Sequence, residues 1–558
     1  MKSQKAGKAF HSIQHKVPTY TLLAVLMMAF FACGTVASEE EKKVFHYNES
    51  NGISSLDPAF ARNLENMWAV NQLFDGLVEL NDELEVQPLI AKSWTIDSTG
   101  KHYSFQLRSE VYFHPSIHFG TPDSTRKVTA SDFKYSFLRI VDEKTASPGK
   151  WIFNQVDFEY KGGFEVVNDS TFNIHLKAPF APFLSMLSMQ YCNVVPQEVV
   201  EATGADFRSK AVGCGPFKLA FWLENVALVF HKNTSFWQRD ENNEALPYLD
   251  AIKIEFVRDM SAEFMGLVKG EYDFMSGIHP AYKDELLTPN GELNKEFQER
   301  LNFQRTPFLK TDYIGILVDE TAPEMQGHPL LNPLVRQALN YSFDRELMVR
   351  YLRNNAVVEA GHGFIPKGLP GYVESANYGV NYDLQKAKDL LREANYPEGE
   401  GIPPITISST SDYVDLCEYL QHAWQKIGLN VEIDVLAGSA HREKVAKSQL
   451  MMFRKSWLAD YPDAENFLGL FHSKNFCPDG PNYTHFKSLE FDSLFEASSL
   501  MPLKDRERAY RKLDSLVMSS SPVIPLFYDQ VSHFVSKDVL DFPTNPVNML
   551  DLKRVQKK

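Results

Sequence analysis

Residues 457–463 read Trp-Leu-Ala-Asp-Tyr-Pro-Asp and close an alternating, apolar-flanked stretch, Met451-Met452-Phe453-Arg454-Lys455-Ser456. Alternation at period two marks a strand. A strand that ends in the carboxylate of Asp460, with the indole of Trp457 close behind, is suited to seizing a cation, because charge and an aromatic wall arrive together. The same residues, taken alone, also describe a strand followed by a proline-containing turn.

Other chemistries find little support. No GxSxG, HExxH or Cys-His pattern is present, so no catalytic residue is assigned and an enzyme is not expected. His114 and His118 are four apart, but Pro115 between them argues against a helix presenting both, and they read as surface loop histidines. Beyond Cys33, the cysteines are Cys192, Cys214, Cys417 and Cys477, without paired CxxC spacing; neither a metal site nor a cofactor is expected. Cys192 with Cys214 is the pair a disulfide would use, free buried thiols being the alternative. Val212-Gly-Cys-Gly-Pro-Phe-Lys-Leu219 is a glycine-rich bend feeding a strand, not a phosphate loop, since GxxxxGK[ST] is missing.

The first 32 residues form a secretory signal: Lys2, Lys5, Lys8 and Lys16 without an acid, then an apolar run over 21–32 that is shorter than the ~20 residues of a membrane span. Phe-Phe-Ala-Cys-Gly at 30–34 resembles the bacterial lipoprotein box, which implies lipidation of Cys33 and a mature chain of 526 residues. Residues 33–43, with Glu39-Glu40-Glu41, read as a tether, or as an acidic signal for display at the cell surface. The net charge is −15, and loss of the four leader lysines makes it −19; with no basic patch, a nucleic-acid partner is not expected.

The elements that must position Asp460 follow from the pattern. Residues 64–80 carry apolar positions at helical spacing, and Tyr103-Ser-Phe-Gln-Leu-Arg108 alternates. Asp132 sits in the first turn of a helix that Thr129 or Ser131 caps. Thr171–Leu176 alternates like an edge-facing strand. Asn332–Phe343 is helical, and Asp383 opens a second helix that Pro397 and Gly399 stop. Then come a strand at 405, a helix over 412–427, a strand over 429–435, a helix over 440–448 and the 451–458 strand, an α/β layer with a partly parallel sheet. Ser521–Tyr528 is an apolar strand whose prolines favour its ends or a sheet edge.

Nine segments resemble, in order and spacing, the family 5 extracellular solute-binding proteins of ABC importers: Ser55–Pro58, Gln72–Val78, Pro88–Trp94, Val128–Phe133, Gly213–Phe217, Val335–Arg345, Ala387–Leu391, Trp424–Gly428 and Trp457–Pro462. Cys214 stands where that family usually has Thr. The resemblance implies an α/β, periplasmic-binding-protein-like two-lobed flytrap of mixed sheets and helices with an inserted third domain: lobe I over 34–76, 197–300 and 519–558, lobe II over 77–196, and lobe III over 301–518. It implies that Asp460 holds a peptide's α-ammonium and that Arg454 can receive a ligand carboxylate, a solvated strand end being the other reading of Arg454. It implies further that Ser456, Trp457 and Leu458, with Arg62, Asn63 and Leu64 facing them, pair with the peptide main chain, although Trp457 equally suits a core. Arg62 departs from the acid that the oligopeptide binders place there. The expected partners are a peptide and the membrane subunits of an ABC importer, with membrane attachment through lipid on Cys33, the body being a monomer in the periplasm or at the cell surface. Nickel chelates, haem, glutathione, opines and oligosaccharides are the other cargoes of such a fold, and surface sensing or adhesion is the other role.

Overall fold

The computed structural model describes residues 42–558 apart from 280, 281, 375 and 377. The signal peptide, Cys33 and nearly all of the tether therefore lie outside the described residues.

The frame is an eleven-stranded mixed sheet. Its order is Val431–Val435, Ile405–Ser409, Met452–Leu458, Leu301–Ile316, Val523–Ser536, Phe274–Ser276, Val44–Asn48, Ala251–Glu255, Ala227–Lys232 and Phe217–Leu223, with Val358–Glu359 paired to the side of Val523–Ser536. Leu301–Ile316 and Val523–Ser536 run antiparallel through both halves of this sheet: 301–307 pair with 530–536, and 311–315 pair with 523–528. Between Pro307 and Thr311 the register slips. There Lys310 donates to Asp529 at 2.7 Å and lies 3.4 Å from Asp312.

Separate cores pack on this frame. One gathers Phe45, Tyr47, Trp68, Phe74, Phe230 and Ile254 on one half. Two others lie on the two faces of the other half: Ile314, Trp424 and Met452 in one, Tyr313, Phe453 and Phe467 in the other. The split of Met452 from Phe453 is the alternation of a strand buried on both sides. Residues 91–96, 102–107, 171–175 and 164–168 form a four-stranded antiparallel sheet with its own phenylalanine-rich core.

Local chemistry explains several elements. The carboxylate of Asp132 accepts from the Thr129 N–H at 2.8 Å and is gripped by Arg126 at 2.7 and 2.9 Å, which fixes the start of the helix Ala130–Val141. Asp383 caps Leu384–Glu393 by accepting from the Lys386 N–H at 2.9 Å. Three expectations need correction, and one alternative is decided. Val523–Ser536 is central, not an edge; Pro525 is tolerated beside a β-bulge, the extra residue Leu526 between the pairs Tyr313 with Pro525 and Asp312 with Phe527. Thr171–His175 lies inside its sheet, between two neighbours. Cys192 and Cys214 share a core as free buried thiols, the reading that stood against a disulfide. His114 is buried, its Nε2 2.9 Å from the Gly215 carbonyl, and burial pushes its pKa down to about 4.

The glycine bend packs against the end of the helix Leu64–Leu73. A Cβ on Gly213 would stand 1.9 Å from the Leu73 carbonyl oxygen, and one on Gly215 2.6 Å from its carbon. Backbone cannot yield there as a side-chain tip would. Gly213→Ala is therefore expected to destabilise the protein by about 1–3 kcal/mol, measured by denaturant unfolding; parent-like stability would mean that this contact is slack.

Candidate functional site

The strand Met452–Leu458 presents an open edge inside the sheet. The Leu317 N–H donates to Met451 O at 3.0 Å and the Ala459 N–H to Leu309 O at 2.8 Å, so odd-numbered residues of this strand pair with Leu301–Ile316. Even-numbered residues turn their N–H and C=O the other way. On that side Ile405–Ser409 pairs only with Met452 and Phe453. Ser456 and Leu458 thus offer backbone donors and acceptors to an edge that no other strand covers.

Asp460 follows directly. It is exposed to solvent, yet enough protein surrounds it that desolvation raises its pKa above the usual carboxylate value, against the pull of Asn466. Asn466 organises the corner. Its Oδ1 accepts from the Trp457 indole at 2.9 Å and from the Asp460 N–H at 3.3 Å, and its Nδ2 donates to the Asp460 carboxylate at 3.4 Å. Trp457 is half-buried, its ring against the apolar cluster on that face. Beneath lie Asp463, which accepts from the Tyr510 hydroxyl at 2.6 Å and pairs with Arg506 at 3.2 Å, and Glu465, hydrogen-bonded by the Tyr461 hydroxyl. Tyr461 meets Trp151 with ring centroids 6.1 Å apart, which ties the corner to the smaller sheet's core.

Arg454 does not fit the role expected of it. Its guanidinium lies 3.2 Å from the Tyr413 ring centroid and is ion-paired with Asp312, whose side chain is fully buried. Desolvation pulls its pKa down to about 9. A charge already matched inside the sheet has none to spare for an incoming carboxylate, and Arg454 is not a solvated strand end either.

Arg62, Asn63 and Leu64 form a lip that leads into the helix Leu64–Leu73. Arg62 and Asn63 are exposed, and Leu64 is half-buried. The preceding turn is held from below. Asp57 accepts from the Ala59 N–H at 3.0 Å and from Arg139 at 2.7 Å, and Ser147 Oγ donates to Ala59 O at 2.6 Å. The charges of Arg62 and Asp460 both act on the buried Tyr191, packed so tightly on Gly149 that a Cβ there would lie 2.5 Å from its ring. Burial pushes Tyr191 up to about 12, with Arg62 pulling down and Asp460 pushing up. On the helix's other side a cavity of about 410 Å³ is lined by Glu49, Glu65, Glu263, Trp68, Phe264 and Tyr282 among others. Burial, then Glu65, pushes Glu49 up to about 7.

Sequence reasoning placed the strand, Asp460, Trp457 and the lip. It missed Tyr191, Trp151 and Asp312, whose contacts with the corner and its strand come from distant parts of the chain and leave no local pattern, and also Asn466, which is only six residues from Asp460 but carries no motif of its own. Among the described residues, no group of three or more metal-binding side chains converges, and no helix is long and apolar enough to cross a membrane.

A family profile for bacterial extracellular solute-binding proteins, family 5 Middle, matches residues 85–476. The chain belongs to the family 5 extracellular solute-binding proteins. Family relatives include the dipeptide-binding protein DppE of Bacillus subtilis, 25% identical over 547 residues and 93% of each chain. The heme-binding protein A of Haemophilus influenzae is 27% identical over 478 residues, 82% of this chain and 81% of that one. Among solved structures, the unliganded open form of the periplasmic murein tripeptide-binding protein MppA superposes with a TM-score of 0.77 at 22% identity, covering 93% of this chain and 98% of that one. DppA of Helicobacter pylori with the peptide STSA gives 0.71 at 24% identity, covering 92% and 98%. The likeness to family 5 folds thus spans the whole frame described above.

The floor of the corner titrates near neutrality. Burial, more than any other cause, raises Glu465 from 4.5 to about 7, while the Tyr461 hydroxyl pulls the other way. The folded state therefore binds this proton more tightly than the unfolded chain. The stability it supplies is complete below about pH 4.5 and is lost as pH rises through about 7. Glu465→Gln is expected to flatten the decline in thermal stability over that window relative to the parent; an unchanged slope would contradict this.

Proposed function

We propose that this protein captures peptides with a free amino terminus and passes them to the membrane subunits of an ABC importer. One observation supports the reading above others: a carboxylate, Asp460, lies at the end of a strand whose neighbouring edge, at Ser456 and Leu458, is open to another backbone. An extended peptide can add to that edge through main-chain hydrogen bonds, which give affinity without reading side chains. Its ammonium then meets Asp460, held by Asn466. A cargo without an amine, such as haem, gives Asp460 nothing to pair with.

The two long strands, crossing between sheet halves at the Pro307–Thr311 slip, suit a hinge. In this reading the regions 34–76, 197–300 and 519–558 act as one lobe, 301–518 as the opposing lobe and 77–196 as the insert. The protein acts as a monomer anchored through lipid on Cys33, in the periplasm or at the cell surface, and turns over nothing.

Asp460→Ala is expected to weaken a peptide with a free amino terminus at least tenfold and its N-acetylated form little, measured by calorimetric titration. Removing one partner of a paired charge leaves the other uncompensated, which accounts for a loss of that size. Equal losses for both peptides would remove Asp460 from the site.

A further inference from the structure

A group of nucleophilic and titratable side chains gathers where the loop 476–485 meets the end of the helix Gly438–Ala446. Cys477 Sγ lies 2.8 Å from Ser448 Oγ, Ser448 Oγ lies 2.8 Å from His485 Nε2, and His485 Nδ1 lies 2.8 Å from Asp319 Oδ2. Cys477 Sγ and His485 Nε2 are 3.5 Å apart. None of these four residues belongs to the open strand edge or to the Asp460 corner.

The proton positions follow from the partners. An ionised carboxylate only accepts, so Nδ1 carries its hydrogen towards Asp319 and Nε2 presents a lone pair to Ser448. Asp319 is kept ionised: against burial, hydrogen bonds from Thr321 and His485 hold its carboxyl below the usual range. The Ser448 hydroxyl therefore donates to Nε2 and can accept the thiol hydrogen of Cys477, whose other acceptor is the Val445 carbonyl at 3.7 Å. A proton can pass from thiol to hydroxyl and from hydroxyl to imidazole. Once the ring is charged, Asp319 answers one N–H, and the Cys477 carbonyl, 3.1 Å from Nε2, answers the other.

The imidazole is fixed for that exchange. Phe476 stacks on it with centroids 4.6 Å apart and planes at 7°. The Val318 N–H donates to Thr484 O at 2.8 Å, which ties the loop beside Asp319. His485 itself holds φ at 54°, a left-handed conformation that a non-glycine residue keeps only where its surroundings enforce it. The other described cysteines lack such company. Cys192 and Cys214 lie in one apolar core and Cys417 in another, and burial pushes all three thiols up, Cys417 to about 11. Cys477 is 5% exposed, while Ser448 and His485 are half-buried, so a reactant that reaches the sulfur must be small.

We infer that Cys477 is a modification site oxidised by small hydroperoxides, with His485, positioned by Asp319, as its base and Ser448 as the proton relay. The thiol proton passes to His485. The thiolate attacks the terminal oxygen of the hydroperoxide, and an S–O bond forms as the O–O bond breaks. The departing alkoxide or hydroxide takes the proton back from the imidazolium. The sulfur gives up two electrons and becomes a sulfenic acid, and the peroxide becomes an alcohol or water. The other described thiols sit in different cores, so the sulfenic acid has no neighbour with which to form a disulfide. This site is independent of what the cleft carries.

The test treats the full chain with hydrogen peroxide in the presence of dimedone, which caps sulfenic acids, and follows each cysteine by peptide mass spectrometry. Cys477 should be labelled about tenfold or more faster than Cys192, Cys214 or Cys417. His485→Gln and Ser448→Ala should each slow that labelling about tenfold or more, with unfolding midpoints as the control. A loosened loop would expose the thiol and raise the rate, so a fall reports loss of the base or relay rather than damage to the fold. Ser448→Ala, at a half-buried position past a helix end, decides the matter should His485→Gln fail to fold. Labelling of Cys477 no faster than that of the other three, or at the parent's rate in either folded variant, overturns the inference.

Discussion

The pairing of Leu301–Ile316 with Met452–Leu458 is the constraint on which the site depends. Because it is antiparallel, N–H directions alternate, and the register Thr311 with Trp457 leaves no choice about which residues face outward. A slip by one residue would turn Ser456 and Leu458 into the sheet and exchange Arg454 for Lys455 on the two faces. The slip is opposed on both sides, since Met452 and Phe453 each have their own core to fill. An exposed strand edge is ordinarily a hazard, protected by charge or covered by other chain. Here the edge opens only after Ile405–Ser409 has stopped pairing at Phe453, next to Asp460. That arrangement suits an edge kept for a guest.

The ion pair of Asp312 with Arg454 secures the same register from within. Asp312 is inaccessible to solvent, and an isolated charge there would be strongly unfavourable. Two cations answer it, Arg454 from the neighbouring strand and Lys310 from its own, and Lys310 reaches on to Asp529 where the second long strand crosses. The network joins three strands at the point where the sheet passes from one half to the other. It also explains why this arginine has no charge to spare for a ligand: Arg454 is needed where it is.

Legibility in the sequence followed the range of the interactions. Asp383 and its helix, the 429–435 strand and the Asp132 cap are decided within a few residues, and the structure has them. The prolines of Ser521–Tyr528 favour a strand's ends or a sheet edge, because proline cannot donate to a ladder. Val523–Ser536 is central all the same, with Pro525 beside an extra residue, Leu526, in its own strand, a bulge that only the pairing with Asp312 and Tyr313, two hundred positions away, reveals. His114 reads as a surface loop residue until the Gly215 carbonyl, a hundred residues on, is brought to it. At the site the division is the same. The strand and its terminal carboxylate are local and legible; the Tyr191 wall and the withdrawal of Arg454 are products of packing, and the Asn466 clamp, though only six residues from Asp460, depends on a turn that carries no motif.

Asp460 is accessible and yet partly desolvated, and the combination has a physical use. A fully buried carboxylate would carry the whole cost of its desolvation before any ligand arrived and would hold its proton near neutrality, as Glu465 does. A fully solvated one would attract an ammonium at contact by only about 1 kcal/mol, in a medium of high dielectric constant. Standing against a protein wall, Asp460 needs only the last of its water displaced, and at an effective dielectric constant near 20 the same contact is worth about 4 kcal/mol. Whatever displaces that water supplies the change. The strength of the charge contact and the exclusion of water therefore rise together, and a guest that brings no cation leaves the carboxylate desolvated without return.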